Sequence, residues 1–109
     1  MQDASPPPGH DLQYEHAALG LSDAQVLAAL RGMIVARTVD DRLWLLSRQG
    51  KAHFVITSAG HEATQFGCAW AVQVGRDYVV PYYRDMALVL ALGQTPRDTV
   101  IPNPGSLFV

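Results

Sequence analysis

The chain has 109 residues, enough for one domain or a piece of one. Its charged share is 17% against 49% hydrophobic; the charge falls short of the ~25% usual in soluble domains, so much apolar surface wants a partner. A net charge of −2 argues against nucleic acid held by phosphate neutralisation, and no apolar run is long enough to cross a bilayer.

The first residues, "MQDASPPPGHD", hold three consecutive prolines and a glycine, which build neither helix nor central strand. They lack the charged segment and apolar core of a secretory signal. Residues 1–20 read as a flexible arm. Ser22 opens the clearest element. Ser22 and Gln25 have capping-box spacing, and Val26, Leu27, Leu30, Met33, Ile34, Leu43, Trp44 and Leu46 recur at a helical period. A long helix is predicted over 22–48. Arg37 and Asp41 lie four apart and can pair on one surface, and Gly50 fits the residue that ends the helix.

"FVIT" (54–57) reads as a short strand. "HEATQFGCAWAV" reads as a second helix from Gly60 or His61, with Glu62 at its positive end and with Gly67 and Cys68 leaving room for a close neighbour. Cys68 has no partner for an internal disulfide and reads as a small buried hydrophobe, which fits a reducing, cytoplasmic setting. "YVVP" (78–81) is a short strand or extended arm. A third helix is predicted from Arg84 to Leu92, stopped by Gly93. Thr95, Pro96 and Asp98 form another helix start, which Pro102 and Pro104 soon cut off.

Few general motifs are present. The four histidines show no metal-ligand spacing, and there is no GxGxxG, GxxxxGK[ST] or GxSxG. The segment "PYYRD" is more informative. An arginine at a helix start opposes the helix dipole unless an anion lies there. Helix N–H groups, the Arg84 guanidinium and a tyrosine hydroxyl could then meet on one phosphate. The plainer alternative is a surface hinge in which Arg84 pairs with Asp85. Phe54 is either ordinary core or an apolar wall beside a substrate. His61 is either a neutral first-turn residue or a group facing a site.

"MIVARTVDDRLWLLSRQGKAHFVITSAGHEATQFGCAWAV" followed by "DYVVPYYRDMALVLALGQTP" resembles the N-terminal part of the alpha subunit of thiamin-diphosphate-dependent 2-oxo acid dehydrogenases, over about residues 25–98. The order of "RQGK", "GHEA", "YYRD" and "ALGQTP" carries the resemblance, and its wording looks closest to the branched-chain type, with pyruvate as the alternative substrate. It implies the α/β thiamin-diphosphate-binding fold for the full-length family. This chain would then be the mainly helical N-terminal portion, with one or two short strands. The division expected is the arm at 1–20, part of the cofactor-binding domain at 21–98 and a divergent or truncated tail at 99–109.

Position by position, the resemblance implies that Tyr83 and Arg84 contact the cofactor diphosphate, that Tyr82 lies against the cofactor, and that Phe54 and Tyr83 face the substrate. It places no catalytic residue and no metal ligand here. The family's GDG and asparagine-pair motif, which holds Mg2+ and diphosphate, would lie outside this chain. Its partners are a beta subunit in an alpha2beta2 heterotetramer, a lipoyl acyltransferase component and a small 2-oxo acid. The expectation is an N-terminal fragment, inactive alone. A non-catalytic helical interaction module, or truncated paralogue, is the alternative.

Overall fold

The computed structural model describes residues 16–52 and 55–100. The arm up to residue 15, the tail from 101, and Phe54 lie outside them. Four α-helices follow a short 3-10 turn at His16–Leu19: α1 (Asp23–Arg48), α2 (Glu62–Ala71), α3 (Met86–Ala91) and α4 (Pro96–Val100).

Helix α1 has 26 residues and begins and ends as its sequence predicts. The Gln25 N–H donates to Ser22 Oγ while the Ser22 N–H donates to Gln25 Oε1, a complete capping box. At the other end Gly50 takes a left-handed φ of 71°, Gly50 N–H reaches the Ser47 carbonyl and Lys51 N–H the Leu46 carbonyl. This pair of bonds closes the last turn, and a residue with a Cβ would be strained in that conformation.

The buried face of α1 is not the one its largest apolar residues mark. Ala29, Ala36, Val39, Asp40 and Leu43 point inward, while Leu27, Leu30, Ile34 and Trp44 are exposed. Small inward residues let α2 and α3 approach closely. One core cluster joins Ala29, Ala36, Phe66 and Ala87, with Met33, Leu90 and Ala91 packed against it. A second joins Val39, Leu43 and Met86, flanked by Val55 and again Leu90. Gly32 lets Phe66 sit on α1, since a Cβ there would collide with the Phe66 ring. The close approach expected at Gly67 is therefore made at Gly32 instead; nothing lies near a Cβ at Gly67, and Cys68 is exposed rather than buried. The inward stripe of α2 is Glu62, Gln65, Phe66 and Ala69, which turns Gly67 and Cys68 away.

The strand expected at 54–57 is corrected, and of the two alternatives at 78–81 the strand is not formed. Among the described residues none is in a strand. A strand needs a neighbouring backbone to pair with, and 55–58 is held by side chains instead: Asp40 takes the Thr57 hydroxyl and the Ser58 N–H. Tyr78 and Val80 are 100% and 93% exposed, with no second strand against them. Helix α3 is shorter than expected and starts at Met86, not Arg84. Helix α4 does form, capped reciprocally by Thr95 and Asp98. Those Thr95 bonds hold the Asp98 carboxyl below its ordinary range. No helix among the described residues is long and apolar enough to cross a membrane.

Candidate functional site

The loop before α3 gathers the residues singled out from the sequence. Tyr82 N–H donates to Asp85 Oδ2 and Asp85 N–H donates to the Tyr82 carbonyl, so Tyr82–Asp85 closes on itself as a turn. The Tyr82 and Tyr83 rings lie 3.8 Å apart by centroid, tilted by 41°. The Arg84 guanidinium carbon sits 5.6 Å from the centre of the Tyr83 ring, within cation–π range. Both tyrosines are exposed, at 51% and 36%. Interaction with Tyr82, then with Arg84, holds the Tyr83 phenol below its ordinary value, and the same pairing pushes Tyr82 up.

Arg84 is tied at both ends. Its Nη1 donates to the Thr57 carbonyl at 2.9 Å, and its own carbonyl accepts from Gln65 Nε2 at 2.6 Å. Thr57 is fixed in turn by Asp40, a carboxylate only 2% exposed, which accepts the Thr57 hydroxyl at 2.5 Å and the Ser58 N–H at 3.2 Å. The ion pairs among the described residues are His16–Asp23 and Arg37–Glu62, so Arg84 has no carboxylate partner there. The expected Arg84–Asp85 hinge is not made. The Asp85 carboxylate turns to the Tyr82 N–H and to Gln65.

Two further expectations need correction. The N–H groups of α3 do not face outward to an anion, because Gln65 Oε1 accepts from both Ala87 and Leu88. Arg37 does not pair with Asp41. Its Nε donates to Glu62 Oε1 at 2.6 Å, and Glu62 Oε2 accepts from the Gly60 N–H. The buried Glu62 carboxylate takes the bond in place of the exposed Asp41 a turn away. Arg37 holds the Glu62 carboxyl below its ordinary range and is itself raised. His61 is exposed at the start of α2 and makes no capping bond through its side chain. Among the described residues no three His, Cys, Asp or Glu side chains cluster as a metal site would need.

Three residues missed from the sequence organise this region: Gln65, Asp40 and Thr57. A signal for two of them was present. Asp40 falls among Ala36, Val39 and Leu43, and Gln65 beside Phe66 and Ala69, so each is a polar residue on an inward helical stripe. Such a residue must be hydrogen-bonded, which marks it as a joint.

The dehydrogenase E1 component family matches residues 30–103. The 2-oxoisovalerate dehydrogenase subunit alpha of Bacillus subtilis (strain 168) is 50% identical over 86 residues, 79% of this chain and 26% of that protein. The pyruvate dehydrogenase E1 component subunit alpha of Bacillus cereus is 38% identical over 72 residues, covering 66% of this chain and 19% of the relative. That of Staphylococcus epidermidis (strain ATCC 35984 / DSM 28319 / BCRC 17069 / CCUG 31568 / BM 3577 / RP62A) is 31% identical over 85 residues, 78% and 23% of the two chains. No solved structure matches. The chain spans about a quarter or less of the length of these relatives. A family match across more than half the chain, with the "YYRD" turn inside it, shows that the chain belongs to the dehydrogenase E1 component family, as the "GHEA" and "YYRD" wording implies.

Proposed function

We propose that this chain forms part of the alpha side of a 2-oxo acid dehydrogenase cofactor site, with Tyr82, Tyr83 and Arg84 as a ledge for the diphosphate of thiamin diphosphate. The observation that carries the reading is Arg84. It is an arginine anchored by two carbonyl-directed bonds, stacked by Tyr83, and without a carboxylate partner among the described residues. A guanidinium so held offers its remaining N–H groups in a fixed fork, the geometry that suits a phosphate. The donor set fits a diphosphate: one cation with no carboxylate partner among the described residues, and two exposed phenols beside it.

Thiamin diphosphate, when bound, supplies the carbanion chemistry that decarboxylates a 2-oxo acid. This chain's residues bind and orient. Arg84 offsets anionic charge. Tyr83, stacked with Tyr82 and beside the Arg84 guanidinium, offers an exposed phenol as a hydrogen-bond donor. Phe54 and Tyr83 form walls toward the substrate. The branched-chain relative at 50% identity, against 31% and 38% for the pyruvate ones, supports a branched-chain 2-oxo acid as substrate. The remainder of the reading is a cytoplasmic alpha2beta2 assembly of the family's α/β fold. In it a beta subunit completes the site, Mg2+ is held by ligands outside this chain and a lipoyl acyltransferase takes the acyl group. The chain is inactive alone.

The test is Arg84→Ala in a full-length alpha/beta assembly. Affinity for magnesium thiamin diphosphate falls by at least about tenfold, the scale of a lost charge-assisted pair. Unchanged affinity in calorimetry sinks the assignment. A second reading, a non-catalytic packing module, is favoured by the exposed Leu27, Leu30 and Ile34 on one face of α1. It requires that neither the chain nor its assembly take up the cofactor.

A further inference from the structure

Helix α3 is begun by a residue that is not its neighbour. Asp85 occupies the N-cap position, where a carboxylate ordinarily accepts the first free N–H groups, yet it makes no capping bond. Gln65, about two turns of helix and a long loop earlier in the chain, takes that role. Its Oε1 accepts from Ala87 and Leu88, at 3.0 and 3.2 Å. Its Nε2 donates to the Arg84 carbonyl at 2.6 Å and to Asp85 Oδ1 at 3.3 Å. One buried amide therefore makes four bonds to the 84–88 segment and spans the junction of α2 and α3.

The chemistry of the junction selects glutamine. Two acceptor bonds and two donor bonds are needed from one side chain, which a glutamate cannot supply. A glutamate would also set a second negative charge beside Asp85. We propose that Gln65 is a positioning residue: its amide fixes the backbone of Arg84 so that the guanidinium and the Tyr82–Tyr83 pair present one anion-binding face. The guanidinium end is held separately, by the Thr57 carbonyl. Fixing both ends removes rotamer freedom that an anion would otherwise have to freeze on binding. The inference rests on the diphosphate reading for its purpose, but the hold on Arg84 can be measured without a ligand.

The experiment uses the full-length alpha/beta assembly that carries this sequence as wild type, Gln65→Met, Gln65→Asn, Arg84→Ala and Gln65→Met with Arg84→Ala. Both Gln65 variants are uncharged, and neither reaches all four partners. Two quantities are read: the titration midpoint of the Tyr83 ring by NMR, and the affinity for magnesium pyrophosphate by calorimetry. Tyr83 reports on Arg84, which helps hold its phenol below the ordinary value. Gln65→Met moves that midpoint up toward the ordinary tyrosine value and weakens pyrophosphate by about fivefold or more, the scale of one lost hydrogen bond. In the Arg84→Ala background the same change weakens it less than about twofold, because residues that act through one another are not additive. Equal losses in both backgrounds, or an unmoved Tyr83 midpoint in a folded variant, overturn the proposal. If pyrophosphate affinity does not depend on Arg84, the diphosphate reading fails and the Tyr83 midpoint alone decides for or against Gln65. Gln65→Asn replaces Gln65→Met if the latter loses its helical circular dichroism. Loss in both variants assigns Gln65 to folding and overturns the positioning role.

Discussion

The junction where α1, α2 and α3 meet and the outer face of α1 are built on opposite rules. The junction is small and polar at its joints. Alanines and Phe66 make the contact, while Asp40, Gln65 and Glu62 are buried and hydrogen-bonded. The outer face carries large apolar groups in the open: Leu27 is 65% exposed and Ile34 is 58% exposed. A stable interior needs close approach and satisfied polar groups more than bulk. The residues that look most like core are free to serve as a contact surface, and the residues that shape the site are polar ones hidden inside.

The sharpest way to break this contrast is Phe66→Ala. Phe66 is the large side chain of the inner cluster, seated over Gly32 and packed with Ala29, Ala36 and Ala87. Its buried neighbours are alanines, with Met33 and Leu90 packed against the cluster from its edge. The expected loss is about 3–5 kcal/mol in urea unfolding, enough to unfold a chain of this size. A loss below ~1 kcal/mol would mean that the three helices are not held by this contact.

How much was legible follows the same division. Local rules worked at helix ends: Ser22 with Gln25, Gly50, and Thr95 with Asp98 all do what their spacing predicts. These are short-range arrangements that one stretch of chain settles alone. The inward face of α1 is not legible from periodicity, which weighs bulk, because its alanines carry little of it. The strand expected at 54–57 does not form among the described residues, and 78–81 keeps its extended-arm alternative, because β-rich wording says nothing about whether a pairing edge exists. "YYRD" stands out as a candidate because an arginine beside two tyrosines before an apolar helix is chemically odd. Its supports do not, because Thr57, Gln65 and Asp40 come from three separate places and meet only in the fold.

The Arg37–Glu62 pair sharpens the contrast by pH. The Glu62 carboxyl lies below its ordinary range, through the Arg37 bond first and against an opposing desolvation. A depressed carboxyl contributes stability that is complete above its unfolded value of about 4.3 and is lost as pH falls through the folded one. The melting temperature should therefore be flat from about pH 7 to 5 and fall below about 4.5. Glu62→Gln should melt lower than wild type at pH 7, by less than Phe66→Ala does, and decline less steeply in acid. Asp98, lowered by Thr95, adds a slope of the same sign in both proteins, so the difference between them isolates Glu62. Parallel acid declines would remove the pair from the account.

The smallest effect on stability tests the outer face. Leu30 and Ile34 lie one turn apart on exposed α1 surface and border a shallow depression with Met33, Arg37 and Gly60. If the junction alone holds the chain, Leu30→Ser with Ile34→Ser changes unfolding free energy by no more than about 0.5 kcal/mol, because the leucine and isoleucine gain little from burial they do not have. Retention on a hydrophobic resin should fall clearly in the same variant, since the apolar patch is what it removes. A loss above ~1 kcal/mol would show that these side chains already pack within the chain. An unchanged stability with lower retention separates the two regions: the inner one holds the helices together, and the outer one presents apolar surface that adds nothing to the fold.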